Sequence, residues 1–140
     1  MRRRVPERAQ RGLLDTSVVI DLESIDPQRL PEEAAIAAIT LAELAAGPHS
    51  TKDATERARR QDRLQRVERA FDALPFDEAA ARAYGRLYAL EAARGRKARG
   101  ARMADLLIAA TAAAAGLPVF TRNPADFAGL DEFVDVINVG

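Results

Sequence analysis

The sequence contains no cysteine and no long apolar run, and each absence excludes a class of protein. Without cysteine, the chain has no disulfide bonds, no thiolate metal ligands and no cysteine nucleophile. No stretch of about 18 uncharged apolar residues occurs, which excludes a transmembrane helix. The N-terminus is basic but no apolar region follows it, so it does not form a secretory signal. We therefore expect one cytoplasmic domain of 140 residues without membrane contact.

A net charge is also absent, because 21 Lys and Arg residues balance 21 Asp and Glu residues. The charges are nevertheless separated along the chain. Residues 1–12 carry five arginines against one acid, residues 91–104 carry five basic side chains against one acid, and residues 123–140 carry four acids and no base. Arginine binds phosphate through paired donors, although GC-rich coding also favours it. A uniformly basic nucleic-acid-binding protein is excluded, but a locally basic surface is not.

Short apolar segments alternate with helical patterns along the chain. The pattern predicts strands at residues 12–15, 36–39, 118–121 and 134–139, with helices between them. Helix-capping signals are predicted at Thr16 and Ser17, at the Thr40/Glu43 capping box, at Asp77 and at Gly116. This alternation predicts an α/β layer fold with a mostly parallel sheet, which binds ligands beyond the carboxyl ends of its strands.

Four acidic residues lie next to the ends of these apolar elements. Asp15 ends the first strand, and Glu43 lies one turn into the helix after the second. Asp105 lies in the first turn of an otherwise apolar helix, and Asp126 follows the third strand. Each has a simpler local explanation: Asp15 and Asp126 as caps, Glu43 as the capping partner of Thr40, and Asp105 as a complement to the helix dipole.

Considered together, the four acids predict a cation site. If they converge at one edge of the sheet, each close pair repels by roughly 4 kcal/mol at an effective dielectric constant of about 20. A hard divalent cation removes this repulsion. The ligands are oxygens only, and the single histidine, His49, is predicted to lie in a loop without a catalytic role. This donor set favours Mg²⁺ or Mn²⁺.

Four segments carry a resemblance to a known family. They are LLDTSVVI at 13–20, ITLAEL at 39–44, MADLLIAATA at 103–112 and TRNPADF at 121–127. In this order and spacing the chain resembles a PIN-domain ribonuclease, and most closely the VapC toxins of type II toxin–antitoxin systems. The resemblance implies a three-layer α/β/α sandwich with a mostly parallel sheet of four to five strands over residues 12–140. Residues 1–11 are expected to form a basic N-terminal extension.

The resemblance also implies an activity and its partners. It implies a Mg²⁺-dependent endoribonuclease, in which Mn²⁺ can substitute, that acts on RNA. A VapB-type antitoxin is expected to cover the active site, and the chain is expected to form a homodimer. The implied active site consists of Asp15, Glu43 and Asp105, completed by Asp126, with Asp15 and Asp105 as direct metal ligands. Some relatives have an acid in place of Asn123, which leaves open whether Asn123 or Asp126 faces the metal.

An acidic pocket repels RNA, so neighbouring cations are needed for affinity. Residues predicted to contact substrate are Thr16, Arg96, Lys97 and Arg99, within a basic segment that also contains Arg94 and Arg102. The alternative for this segment is a solvated loop. Thr16 and Thr121 are also candidates to donate hydrogen bonds to the carboxylates. The identity of the RNA stays open, because RNA specificity depends on loop shape and unstacked bases.

Two other functions fit part of the pattern. A phosphotransfer receiver domain also places aspartates at strand ends, but it needs a lysine at a late strand end, where neither Lys52 nor Lys97 lies. A catalytically silent PIN-fold module could bind RNA or a partner protein, although the intact acids argue against it. Metal-dependent cleavage of RNA distinguishes the nuclease from both alternatives.

Overall fold

Short strands and helices alternate in the structure, as the hydrophobic pattern predicts. The computed structural model of the chain describes residues 9–97 and 99–140. The strands are β1 (Arg11–Leu14), β2 (Glu33–Ala37), β3 (Ala73–Leu74), β4 (Val119–Thr121) and β5 (Val136–Asn138). The helices are α1 (Thr16–Ile20), α2 (Ala38–Ala46), α3 (Ala54–Ala70), α4 (Glu78–Ala93) and α5 (Ala101–Ala115). Short 3₁₀ turns lie at Leu22–Ser24, Pro27–Arg29, Gly47–Ser50 and Pro124–Phe127.

The five strands form one parallel sheet in the order β3-β2-β1-β4-β5. β1 lies at the centre, where Leu14 pairs with Ile36 of β2 on one side and with Phe120 of β4 on the other. The chain builds outwards from β1 to β3, then returns and builds outwards from β4 to β5. The strand order therefore reverses between β1 and β4, and open α/β sheets form their ligand crevices beyond the carboxyl ends of the strands at such a point.

Neighbouring residues of β1 belong to hydrophobic cores on opposite faces of the sheet. Leu13 packs in one core with Leu87 of α4 and Leu106 of α5. Leu14 packs in the other with residues that include Val67 of α3. Because successive side chains of a strand point to opposite faces, burial of both leucines requires helices on both sides of the sheet. The predicted three-layer α/β/α sandwich is confirmed, with five strands.

Some of the predicted helix caps are confirmed and others are wrong. Asp77 caps α4 by accepting a hydrogen bond of 2.9 Å from the backbone three residues ahead. Gly116 ends α5 in the left-handed conformation, with φ of 69°. Thr16 and Ser17, in contrast, do not cap α1, whose N-cap is Asp15. Their hydroxyls bond instead to carboxylates of the candidate site.

The second strand lies earlier in the chain than predicted, and the capping box is wrong. β2 ends at Ala37, which is also the N-cap of α2. Thr40 and Glu43 therefore lie inside α2 and do not bond to each other's backbone. The continuous apolar run at residues 36–39 has no feature that marks where the strand becomes a helix. β3 escaped prediction because two residues are too few to show a periodic pattern.

The chain before Gly12 already contributes to the sheet. β1 begins at Arg11, and the carbonyl oxygens of Ala9 and Gln10 accept backbone hydrogen bonds of 3.1 and 2.7 Å from the segment leading into β2. Residues 1–8 of the predicted basic extension lie outside the described residues, and the division between extension and domain stays a prediction. Within the described ranges, none of the helices combines the length and hydrophobicity needed to cross a bilayer.

Candidate active site

Asp15 lies at the carboxyl end of the central strand, with only 4% of its surface exposed. Its Oδ2 accepts hydrogen bonds from Thr121 Oγ1 at 2.7 Å and from Ser17 Oγ at 3.0 Å. Thr121 is the fully buried last residue of β4, so the neighbouring strand fixes this carboxylate. Oδ1 accepts no hydrogen bond from a described side chain. One oxygen of Asp15 is therefore held in place, while the other is available as a ligand.

Threonine hydroxyls connect the start of α1 to Glu43 on α2. Thr16 Oγ1 donates a hydrogen bond of 2.8 Å to Glu43 Oε1 and lies 2.9 Å from Thr40 Oγ1. A hydroxyl has a single proton, so Thr40 donates to Thr16 while Thr16 donates to Glu43. Thr40 is fully buried and Glu43 is exposed. These two hydrogen bonds orient the Glu43 carboxylate towards the residues that follow β1.

Asp105 is the most strongly perturbed carboxyl group of the site. The first turn of α5 contains no acidic residue, and Asp105 lies beyond that turn. An interaction with the helix dipole therefore does not explain the position of Asp105. The pKa of Asp105 is raised from 3.8 to about 7, chiefly by burial and then by the negative charges of Asp126, Asp15 and, less strongly, Glu43. Arg102 opposes this rise. The structure thus places Asp105 within electrostatic range of all three other predicted acids.

Asp126 lies in the 3₁₀ turn that follows β4 and is exposed. Its negative charge contributes more to the raised pKa of Asp105 than the charge of Asp15 does. Asn123 is the N-cap of the same turn, and its backbone N–H donates a 3.0 Å hydrogen bond to Thr121 Oγ1. Asp126 therefore acts electrostatically on Asp105, and which of Asn123 and Asp126 faces the metal stays a prediction.

The chemistry of these donors suits a hard divalent cation. Asp15, Glu43, Asp105 and Asp126 offer only carboxylate oxygens, and a cation between them offsets the repulsion that raises the pKa of Asp105. In the part of the chain that the structure describes, no three acidic or histidine side chains form a ready-made ligand set. Mg²⁺ keeps several waters and is usually held by one or two carboxylates, so it does not require three preformed protein ligands.

Arg102 and Glu91 form a buried ion pair that the sequence analysis missed. Arg102 Nε lies 2.8 Å from Glu91 Oε2, and Arg102 Nη2 lies 2.5 Å from Glu91 Oε1. The Glu91 side chain is only 1% exposed and the Arg102 side chain 18%. Arg102 Nη1 also donates to the backbone carbonyl of Asp126. Arg102 was predicted to belong to the basic segment that borders the substrate, but it instead ties α4 to α5 and to the turn that carries Asp126.

The sequence contains a pattern that could have predicted the pair of Glu91 and Arg102. Glu91 continues the buried stripe of α4 that contains Ala80, Ala83 and Leu87. An acid on an apolar stripe needs a partner, because burial of an unpaired charge is unfavourable. The hydrogen bonds from Arg102, together with its positive charge, outweigh burial and hold the pKa of Glu91 below 4.5.

Of the three predicted substrate-binding cations, Arg96 is the one with a contact close to the turn that carries Asp126. Arg96 Nη1 donates a 3.5 Å hydrogen bond to the carbonyl of Ala128, just after the turn that carries Asp126. Lys97 and Arg99 are exposed and form no ion pair with a described residue. All three precede α5 in the chain, and their contact with substrate stays a prediction. Thr16, the fourth predicted substrate-binding residue, bonds to Glu43 directly.

Comparisons with known proteins identify the family of the chain. The PIN domain family profile matches residues 12–132. Ribonuclease VapC5 of Mycobacterium tuberculosis is 41% identical over 133 residues, covering 91% of this chain and 95% of that protein. Ribonuclease VapC8 of the same species is 41% identical over 102 residues, covering 72% of this chain and 89% of that protein.

A solved structure gives the same result. The crystal structure of VapBC-5 from Mycobacterium tuberculosis, a member of the VapBC family of toxin-antitoxin systems, superimposes with a TM-score of 0.81 at 39% identity. The match covers 93% of this chain and 99% of that one. The family profile spans β1 to the segment before β5, and it includes all four acids of the candidate site. The chain therefore belongs to the PIN-domain family and, within it, to the VapC ribonucleases.

Proposed function

We propose that this protein is a Mg²⁺-dependent endoribonuclease and the toxin of a type II toxin–antitoxin pair. The observation that carries the proposal is the half-buried Asp105 carboxyl, whose pKa is raised to about 7 by burial and by the surrounding acids. A perturbed carboxyl at the carboxyl end of a parallel sheet is typical of a functional site. The names of the relatives, both ribonucleases, support RNA cleavage as the reaction.

The proposed cofactor is Mg²⁺, with Mn²⁺ able to replace it. PIN-domain VapC ribonucleases generally use a divalent metal, and a set of oxygen donors favours these two ions. Asp15 and Asp105 would bind the ion directly. Glu43 would bind the ion or orient a water molecule beside it, and Asp126 would act as an outer ligand. When bound, the ion polarises the scissile phosphodiester, lowers the pKa of water and stabilises the leaving alkoxide.

The residues of the chain position these groups. Thr121 fixes Asp15 from the neighbouring strand, and Thr16 fixes Glu43 from the start of α1. Water, rather than the ribose 2′-hydroxyl, attacks phosphorus, so one product ends in a 5′-phosphate and the other in a 3′-hydroxyl. No histidine is needed, and His49 lies exposed in the turn Gly47–Ser50.

We assign RNA contact to Thr16, Arg96, Lys97 and Arg99, since the carboxylates alone repel phosphate. For single strands, each phosphate contact contributes about −0.7 to the slope of log K against log salt concentration. A variant with Arg96, Lys97 and Arg99 replaced by Gln should therefore lose about 2 units of that slope. Fluorescence anisotropy with a labelled single-stranded RNA measures it over a salt series.

The matched control for the basic segment changes the same charge elsewhere. It replaces Arg69, Arg82 and Arg86 with Gln, which are exposed arginines on α3 and α4. We expect its slope to stay close to that of the native protein. Equal slopes in the two triple variants would show that net charge, and not this segment, governs RNA affinity.

The proposed partners are a VapB-type antitoxin and a second copy of the chain. The VapBC-5 structure is described as a toxin-antitoxin system, and we extend that partnership to this chain. Tyr88 and Met103 are large apolar side chains that are 49% and 44% exposed, and they offer surface for such contacts. We place the protein in the cytoplasm, where its RNA substrate is.

A receiver domain no longer accounts for the chain, because it belongs to the PIN-domain family. Mapping the 5′ ends of cellular RNA after expression of the protein is induced distinguishes a nuclease from a catalytically silent PIN-fold module. We expect new ends and growth arrest with the native chain and with Asp131→Asn, an exposed carboxylate. Asp15→Asn should produce neither. Native protein that generates no new ends would identify the silent module instead.

A further inference from the structure

A groove beside the candidate site contains an arginine without a partner. One hollow of about 440 Å³ is lined by Thr16 and Glu43 on one side and by Arg60 and Arg63 of α3 on the other. A second hollow of about 340 Å³ lies between α3 and the segment that follows α1. Arg63 and Ile20 line both hollows. The two hollows adjoin at these residues, and we treat them together as one groove along α3 that begins beside Glu43.

The other charged side chains of this groove already have partners. Glu43 accepts from Thr16. The ion pairs are Arg59–Glu56 at 3.2 Å, Arg60–Glu56 at 3.1 Å, Arg66–Glu23 at 3.0 Å and Arg122–Asp21 at 3.0 Å. Arg63 is partly buried, yet it forms no hydrogen bond or ion pair with any residue in 9–97 or 99–140. It is the unpaired cation of the groove among these residues.

This arrangement favours an anionic occupant. Burial of a guanidinium without a hydrogen-bond acceptor is energetically unfavourable. Binding of an anion to the guanidinium lowers the free energy. Its planar fork of donors matches the oxygens of a phosphate group. Because the acids that line the groove already have partners, a phosphate here meets one free positive charge. Glu43 is the one acid of the candidate site that lines the groove.

We propose that Arg63 binds a backbone phosphate of the RNA strand that flanks the scissile phosphate, and that the groove between α1 and α3 carries the strand away from the site. The proposal rests on the proposed function, since it requires RNA as the substrate. When the scissile phosphate of an RNA strand lies at the carboxylates, the neighbouring phosphates of that strand must lie on the adjoining protein surface. Ile20, which is 44% exposed on the wall of the groove, offers an apolar contact to a ribose or base.

The test compares Arg63→Gln with Arg69→Gln, an equal charge change on the same helix outside the groove. Binding of a short labelled single-stranded RNA is followed by fluorescence anisotropy in the presence of chelator. Arg63→Gln should weaken binding about tenfold, as expected for loss of a charged hydrogen bond, and lower the salt slope by about 0.7. Arg69→Gln should change affinity by less than about twofold, as expected for a screened surface charge.

Two further measurements separate binding from folding and catalysis. Arg63→Lys keeps the charge but not the fork, so its affinity should fall between those of the native protein and Arg63→Gln, with an unchanged melting temperature. In cleavage assays Arg63→Gln should raise KM and leave kcat unchanged, because a contact made equally in ground and transition states affects only binding.

The outcomes distinguish this inference from the proposed function. Native protein that cleaves no RNA overturns the proposed function, and the anisotropy series still decides whether Arg63 binds RNA. Native protein that cleaves RNA, with equal RNA affinity in Arg63→Gln and Arg69→Gln, overturns the role of Arg63 alone. If Arg63→Gln weakens only the complex with the antitoxin, a protein segment occupies the groove and the proposal is wrong.

Discussion

Asp105→Asn is expected to abolish RNA cleavage and at the same time to stabilise the metal-free protein. Cleavage should fall by more than about 100-fold, because even changes to the outer partners of metal ligands cost about 10–100-fold. The free energy of unfolding should rise by about 1–3 kcal/mol above pH 7, a range that allows for solvent screening. The gain arises because burial and the nearby acids disfavour the ionised Asp105 in the folded protein. Urea denaturation in chelator measures it.

The gain in stability should depend on pH. Between 3.8 and about 7, Asp105 binds more protons in the folded protein than in the unfolded chain. The contribution of Asp105 to native stability is therefore greatest below this window, falls as pH rises through it and is constant above it. Asparagine does not titrate, so the two proteins should have similar stability near pH 4 and differ most above pH 7.

Two controls accompany Asp105→Asn: addition of Mg²⁺ and the variant Asp131→Asn. Mg²⁺ should stabilise the native protein but not the variant, because only a ligand that binds the folded state raises stability. Asp131→Asn removes an exposed carboxylate away from the site and should leave both cleavage and stability unchanged. An Asp105→Asn protein that is less stable than the native one at pH 8 in chelator would contradict the electrostatic account of the site.

Glu91→Met is expected to cause the largest loss of stability of any single change considered. It leaves Arg102 largely buried without a counter-charge, and breaking a buried ion pair in this way costs about 3–5 kcal/mol. Urea denaturation at pH 7 measures the loss. The double variant Glu91→Met with Arg102→Met should recover much of it, because apolar residues of similar volume often replace a buried ion pair without cost.

Cleavage by the double variant should stay impaired although its stability recovers. Arg102 donates to the backbone carbonyl of Asp126, so without it the turn that carries this acid loses its tie to α5. Full activity in the double variant would show that the pair has no influence on the site. Glu78→Met, which breaks a 3.7 Å pair with Arg82 in which Glu78 is 94% exposed, should cost less than about 1 kcal/mol.

The pH dependence of the Glu91 pair has the opposite sign to that of Asp105. Hydrogen bonds from Arg102 and its positive charge hold the pKa of Glu91 below 4.5. The stability that Glu91 contributes is therefore present above pH 4.5 and is lost as the pH falls through its lowered pKa. The difference between native protein and Glu91→Met should shrink under acid conditions.

The acids at the strand ends were predictable because one physical rule places them. Apolar strands of a parallel sheet deliver the residues that follow them to one edge, so Asp15 after β1 and Asp126 after β4 approach that edge from neighbouring strands. Asp105 was conspicuous as a charge at the start of an apolar helix. The structure adds that burial, together with the charges of the other acids, raises the pKa of Asp105.

The hydrogen-bond partners were not predictable from local patterns. Thr40 and Glu43 have capping-box spacing, but the side chain of each bonds to Thr16, more than 20 residues away in sequence. Arg102 and Glu91 meet only because α4 and α5 pack against each other. The unpaired state of Arg63 likewise depends on which of its neighbours are already bonded. Such facts come from tertiary packing, and a periodic pattern along the chain does not contain them.

The most direct test of the central claim is cleavage of a purified single-stranded RNA by the purified protein, with Mg²⁺ and with excess chelator. We predict fragments with 5′-phosphate and 3′-hydroxyl ends in Mg²⁺ or Mn²⁺, none in chelator and none with Asp15→Asn. Cleavage that persists in excess chelator, or in Asp15→Asn, would contradict a metal-dependent nuclease built on these carboxylates.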